Sequence, residues 1–429
     1  MQNSRSSERM KHELKPIRYQ SETYPKLFSL INRVDGGNLM MAHEMLKADK
    51  AAGIDGVTKE QYDEHIVENV RDLVKRLKSF KYIPQPVRRT YIPKANGKLR
   101  SLGIPSYEDK LVQRVMADIL NDVYEPRFLD CSYGFRPRRG AHDVVRFIDK
   151  AVMKDRANYV LEADIKGFFD NLDQQWLMKF LEHDIADKNF LRYVARFLKA
   201  GIMEQGKLIE SDKGTPQGGL ISPILANVYL RYVLDLWVEK RIKRICKGRV
   251  LYARYADDFV LLFQYKEDAE QVKQMLGERL AKFSLELAED KTRILPFGKF
   301  VGTKEDFDFL GFTFYNTKTR SGSYRVGVRS AMKKIKAKRQ AVREWMRRRM
   351  TRPVAETLIK LNRKLVGHYN YYGVNGNYRA IHSFCRYAKK RMYWTLRRRS
   401  QKHRLTIEKF EQLWNKFVKH PYLPVNIWM

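Results

Sequence analysis

At 429 residues the chain is longer than one compact domain usually is, so several core-bearing units in series are expected. Its 84 Lys plus Arg stand against 49 Asp plus Glu, a formal net charge of +35, and its 44% hydrophobic and 12% aromatic residues exclude a disordered polyelectrolyte. A folded chain this basic implies a polyanionic partner, nucleic acid before an anionic membrane surface, because each phosphate neutralised by Lys or Arg releases condensed counterions. Cys131, Cys246 and Cys385 are far apart and form no Cys-x-x-Cys pair, which argues against a disulfide framework or a zinc knuckle. No apolar run has the length of a signal peptide or a membrane span, so a reducing, intracellular and cytoplasmic setting without a membrane is expected.

In chain order, residues 1–35 are polar, with Pro16 and Pro25, and read as an extended or partly ordered arm. The stretch LMMAHEMLKADKAAGIDGVTKEQYDEHI predicts a helix, a Gly-rich turn at Gly53 to Gly56 and a second helix N-capped by Thr58. PVRRTYIPKANGKLRSLGIP predicts two strands with a cationic face about a two-residue turn at Asn96-Gly97. YVLEADI reads as a buried strand with Asp164 near its end, followed after Phe168-Phe169 by a helix. GTPQGGLISPILANVYLRYVLDLWVEKRI is a Gly-rich loop opening a long helix, and VLYARYADDFVLLF suits a tight hairpin whose tip exposes Asp257 and Asp258. That order gives an α+β fold, a sheet with helices packed on one face. Beyond Gly311, KKIKAKRQAVREWMRRRM is basic on nearly every face, and the helical stretches after it interleave Lys and Arg with Tyr and Trp, as a separate helical domain.

Adjacent carboxylates on a buried hairpin repel one another and lose solvation unless a cation compensates them. Asp164 on a neighbouring strand would complete a hard-oxygen site for two Mg²⁺ ions roughly 3.5 to 4 Å apart, the arrangement for in-line phosphoryl transfer. The plainer alternative for Asp257-Asp258 is a solvated turn.

The ordered blocks GIDG (53–56), YGFRP (133–137), Ala163-Asp164 leading to Phe168-Phe169-Asp170, TPQGG (215–219), YADD (255–258) and FLGF (309–312) resemble reverse transcriptases. Their particular forms, with LNRKLVGHYNYYG behind them, are similar to group II intron proteins from about residue 36 to about 420. The resemblance implies a right-hand polymerase, α+β, with fingers and a palm of antiparallel sheet, followed by an all-α thumb/maturase (X) domain. The expected divisions are a polar arm over 1–35, fingers over 36–145, palm over 146–318 and a helical basic thumb/maturase domain over 319–429.

Carried over residue by residue, the resemblance implies that Asp164, Ile165, Asp257 and Asp258 hold the two Mg²⁺ ions. It puts Lys94 and Arg100, with Lys98 as second choice, on the incoming triphosphate. Phe169 becomes the gate against a 2′-hydroxyl, Gln217 the residue under the nascent pair, and Lys291 a proton donor to pyrophosphate. Ordinary roles stand beside these: solvated hairpin charges, a core Phe, a helix-capping loop, an exposed Lys. The candidate nucleic-acid contacts are Arg136, Gly311, Lys338, Arg343, Arg347, Lys364, Tyr371 and Arg391, where cations meet surfaces on which unpaired bases can stack. The implied partners are a group II intron RNA, an RNA template with a DNA or RNA primer, and dNTPs. The implied functions are RNA-directed DNA synthesis and maturase-assisted splicing. The tail after Trp414 carries no His-Asn-His-like cluster or Cys pairs, so nuclease activity is not expected.

Overall fold

The computed structural model describes residues 17–93, 99–204, 206–209, 213–214, 218–399 and 405–428. Its strands, in chain order, are β1 (Val87–Pro93), β2 (Leu99–Ile104), β3 (Tyr159–Ala163), β4 (Ile202–Glu204), β5 (Lys207–Ile209), β6 (Val250–Tyr255), β7 (Asp258–Phe263), β8 (Arg293–Pro296), β9 (Asp306–Phe309), β10 (Phe312–Lys318) and β11 (Tyr324–Ser330). They form three sheets, ordered β2-β1-β4-β5, β6-β7-β3-β8 and β11-β10-β9.

The front of the chain is helical around the first sheet. Asp35 caps Gly36–Met45 by accepting from Asn38 N, and Thr58 and Gln61 form a reciprocal capping box at the start of Lys59–Asp63. Between these helices Gly53 lies so close to the start of a later helix, Tyr107–Tyr124, that a Cβ would meet Pro105 O and Ser106 Cα at 2.5 Å. Asp55 in the same turn accepts from Tyr107 N at 3.1 Å, so the turn clamps one helix to another. The β1–β2 ladder pairs Pro93 with Leu99, a register that an unbulged two-residue turn at Asn96-Gly97 does not produce. The tip itself, 94–98, lies outside the described residues.

Residues 17–35 are docked rather than trailing. Ile17, Leu27, Leu30 and Val34 are buried in the main core, Leu27 bridges Ile185, and Arg127 donates to Ser21, Tyr24, Pro25 and Asp184. Leu27, Leu30 and Val34 do stand three and four residues apart, but only Leu30–Arg33 forms a short helical turn, so the segment carries no run long enough to read as an amphipathic helix.

The β6-β7-β3-β8 sheet is antiparallel throughout and divides two apolar clusters. Leu161, Ala163, Phe259, Leu261 and Phe263 join the cluster that includes the helix Lys266–Ala281. Val160, Val260 and Leu262 join the other, with the helix Ala141–Met153 and the β9–β11 sheet. Helices lie on the first face as the strand order implied, and the second face is covered too, which is why β3 and β7 read as continuous apolar runs. Each fully buried Leu or Phe here contributes on the order of 2 kcal/mol.

The helix opened by the Gly-rich loop runs Ser222–Leu230, then widens into π-helical stretches at Arg231–Asp235 and Val238–Ile242. The C-terminal helices are Met332–Arg348, Val354–Tyr372, Tyr378–Arg397 and Ile407–Phe417. They start after β11, so the all-helical part begins at Met332 and not at residue 319. The first of them buries Ile335, Val342 and Met346 along one stripe, and the remaining circumference carries its Lys and Arg.

Candidate active site

Period two places the acidic residues. Val160, Glu162 and Asp164 follow one another on one side of β3 and its continuation, and Val260 and Asp258 do the same on β7. Ala163 pairs with Phe259, so one further step sets Asp164 opposite Asp258. The β6–β7 hairpin closes tightly, Tyr255 pairing with Asp258, because Ala256 takes φ +58°, a left-handed conformation uncommon without glycine. Asp164 and Asp258 meet at one end of the sheet, in a cleft of about 650 Å³ that Lys291, Asp308, Phe309, Gly311, Lys333, Lys334, Lys338, Tyr371 and Tyr372 also line.

Solvent reaches Asp258 through the cleft mouth, but protein crowds it on the other sides. That crowding first, and then the charges of Asp257 and Asp164, push its carboxyl up to about 6, with Lys334 and Lys291 opposing. Asp257 is raised as well, by burial and then by Asp164, against its own backbone N–H, Arg100 and Arg254. Asp164 is held by Lys291, whose ammonium lies 2.5 Å from Oδ2, a bond that raises the lysine's affinity for its proton. Past β3 the chain bridges Leu287 at Ile165, using the C=O of Asp164 and the N–H of Lys166. The carbonyl of Ile165 takes no part in this bridge, although the side chain is buried.

Among the described residues no group of three or more His, Cys, Asp or Glu is gathered tightly enough to hold a metal ion, and Asp164 turns to Lys291 instead. The donor set nonetheless suits a hard cation. Mutually repelling carboxylates, one with its proton affinity raised into the neutral range, are what a divalent ion would relieve.

Arg100 lies on β2 opposite Ile92, exposed, and its charge bears on Asp257, so the cationic hairpin approaches the acidic turn. Lys94, Lys98 and Gln217 fall outside the described residues. The ends of the Gln217 loop are placed: a Cβ on Gly214 would meet Phe169 O at 2.7 Å, and one on Gly218 would meet Gly103 O at 2.4 Å. Gly214 thus abuts the Phe169 turn and Gly218 abuts β2. Phe169 is half-buried and edge-on to the buried Phe168, with ring centroids 5.2 Å apart.

The residues proposed from sequence to contact nucleic acid separate into groups. Gly311, Lys338 and Tyr371 line the cleft. Gly311 has φ +79°, and a Cβ there would lie 2.9 Å from the Tyr372 hydroxyl, while Tyr371 Oη donates to Leu310 O at 2.8 Å. Arg343 and Arg347 are exposed further along the Lys338 helix, Lys364 is exposed on the next helix with its ammonium 5.3 Å from the Trp345 ring, and Arg391 is half-buried on Tyr378–Arg397. Arg136 is a correction: its side chain is 3% exposed, and its five N–H groups go to Glu125, Leu129 O and Ser132 O, leaving none for a phosphate. Lys333, Lys334 and Asp308 line the cleft and were missed. Only the fold brings Lys334 to Asp258, because the helix that carries it follows the small sheet, far along the chain.

The family described as reverse transcriptase (RNA-dependent DNA polymerase) matches residues 92–314, a little over half of the chain. Group II intron-encoded protein LtrA of Lactococcus lactis is 33% identical over 331 residues, 64% of this chain and 55% of LtrA. Protein YkfC of Escherichia coli is 33% identical over 311 residues, covering 65% of this chain and 80% of YkfC. The putative COX1/OXI3 intron 1 protein of Saccharomyces cerevisiae is 28% identical over 334 residues, 67% of this chain and 39% of that protein. The chain thus spans about half the length of LtrA and less of the yeast protein. It belongs to the reverse transcriptase (RNA-dependent DNA polymerase) family, with group II intron-encoded proteins among its relatives.

Proposed function

We propose that the protein is an RNA-directed DNA polymerase of the group II intron type, extending a DNA or RNA primer on an RNA template from dNTPs and assisting its intron RNA to splice. The observation that carries the reading is the meeting of Asp164 with Asp258 at the head of a basic cleft, the adjoining Asp257 on the same hairpin turn, where the charge of Asp164 bears on both hairpin carboxylates. In this reading residues 36–145 are fingers, 146–318 palm and 319–429 thumb/maturase, and the three carboxylates with the Ile165 carbonyl would hold two Mg²⁺ ions. When bound, the ions activate the primer hydroxyl and neutralise charge on the leaving pyrophosphate.

The chain's own residues do the rest. Arg100, with Lys94 or Lys98, holds the triphosphate; Lys291, on releasing Asp164, stands within reach of the leaving group; Phe169 crowds a 2′-hydroxyl. Gly311, Lys338 and Tyr371 set the primer end against the carboxylates, and Arg343, Arg347, Lys364 and Arg391 bind RNA phosphate beyond the cleft. No helix among the described residues is long and apolar enough to cross a membrane.

Template-directed extension with Mg²⁺, comparing dNTPs with NTPs, tests this reading. Incorporation of dNTPs on RNA is expected, and unchanged incorporation by Asp257→Asn would sink the metal assignment. A second reading, RNA binding for splicing without polymerisation, is favoured by exposed Arg343, Arg347 and Lys364 lying outside the cleft. Splicing retained by Asp257→Asn would show that the two activities separate.

A further inference from the structure

Behind the acidic turn, on the opposite side of β6, lies a charged group that no step above employs. Arg254 and Asp235 are both 0% exposed and joined by two bonds, Nε to Oδ1 at 2.7 Å and Nη2 to Oδ2 at 2.6 Å. The other three N–H groups of Arg254 reach Asn227 Oδ1 at 2.9 Å, Ser132 Oγ at 2.8 Å and the carbonyl of Ala256 at 2.9 Å. Every donor of a fully buried guanidinium is therefore matched, and one of them holds the residue just before Asp257.

The partners come from three separate segments. Ser132 belongs to the stretch that runs alongside β6, where Arg254 N donates to Cys131 O and Tyr133 N donates to Arg254 O, each at 2.8 Å. Gly134 in that stretch abuts the turn so closely that a Cβ would fall 2.3 Å from Ala256 N, and its carbonyl accepts from Asn227 Nδ2 at 2.7 Å. Asn227 and Asp235 sit on the helix after the Gly-rich loop. Eight residues apart, they would stand about 80° out of line in a straight α-helix. The π-helical stretch Arg231–Asp235 takes up an extra residue, and both side chains reach the one guanidinium.

Stability alone does not account for such a group, since buried ion pairs are commonly replaced by apolar side chains of like volume at no loss. What an apolar replacement lacks is direction, and direction is what the turn requires: Ala256 is a non-glycine residue at φ +58°. We propose that Arg254, with Asp235, Asn227 and Ser132, is a positioning device that holds Ala256 left-handed from behind and so fixes Asp257 and Asp258 against Asp164. The polymerase reading is needed only for what those carboxylates then do.

The test uses the full chain with Arg254→Lys, which keeps the charge and loses the fork, and with the paired replacement of Arg254→Met and Asp235→Leu. Four quantities are measured: the melting temperature, primer–template affinity in EDTA, Mn²⁺ binding by electron paramagnetic resonance without nucleic acid, and kcat and KM for dNTP. The paired variant is expected to melt near the wild type and to bind primer–template equally well. Its Mn²⁺ affinity and kcat should each fall by about 10- to 100-fold, the range for losing residues that orient metal ligands, with the dNTP KM little changed. Wild-type Mn²⁺ binding and kcat in the folded paired variant would overturn the proposal. So would a series in which every variant loses activity only in proportion to its loss of folded protein. If the wild type binds Mn²⁺ but extends no primer, the polymerase reading fails by itself, and the Mn²⁺ comparison still decides the role of Arg254.

Discussion

The sheet β6-β7-β3-β8 and the helix Met332–Arg348 are both rich in charge, and they use it in opposite ways. Behind the sheet charges have designated partners in three places: Arg254 with Asp235 in the interior, Arg136 with Glu125, and Arg127 with Asp184. On the helix Lys333, Lys334, Arg343 and Arg347 point to solvent around a narrow apolar stripe. A guanidinium whose donors are all matched inside the fold can only shape the protein, whereas one left in water is available to a phosphate. The same residue type thus specifies geometry in one region and affinity in the other, and burial decides which.

The largest effect should come from the acidic turn that the sheet presents. Asp257→Asn is expected to cut primer extension by roughly 10²- to 10³-fold, the range for removing one preorganised charge-stabilising group, while circular dichroism and primer–template affinity hold. Next comes the close contact behind that turn. Gly134→Ala places a Cβ 2.3 Å from Ala256 N, and chemical denaturation should register a loss of about 1–3 kcal/mol, with activity falling more than stability alone predicts. A variant as stable and active as the wild type would show that the turn has slack.

In the helical region the test concerns a buried group among the cations. Burial first, and the Lys338 ammonium beside it, push His368 down to about 3 from 6.5, between the Tyr372 and Phe384 rings. The folded form therefore resists protonation that the unfolded chain accepts. The resulting stability is full above the unfolded value near 6.5 and is lost as pH falls toward 3. Taking pH from 7 to 5 should lower unfolding free energy by about 2 kcal/mol, and His368→Leu should flatten that part of the profile. The smallest effect is the most diagnostic of exposed charge. Arg343→Gln with Arg347→Gln should weaken RNA binding evenly across sequences and reduce the log–log salt slope by about 2, leaving the melting temperature unchanged.

What was legible in the sequence were features with short-range causes. The hairpin around Ala256-Asp257 shows in its flanking apolar runs, and Asp164 shows at the end of another; antiparallel pairing then leaves little freedom in where the carboxylates meet. Thr58 as a cap was readable for the same reason, since its partner is three residues away. Lys334 was not, because only the packing of the small sheet against Tyr371 and Tyr372 swings its helix over Asp258. Arg136 was misplaced because sequence displays a cation but not the Glu125 carboxylate that encloses it. Arg254 shows only as a cation inside an apolar strand, because its side-chain partners lie 19 to 122 residues away.

The partition wall formed by β3 and β7 has a consequence for how the gene can vary. Odd and even positions face different rooms, Leu161 one and Val160 the other, and the acidic residues continue the second set. An in-frame insertion of one codon within β3 would exchange the tenants of both rooms and at the same stroke turn Asp164 from the cleft. Length in this strand is therefore far less negotiable than composition: Val for Ile is a tolerable substitution there, and one added residue of any kind is not.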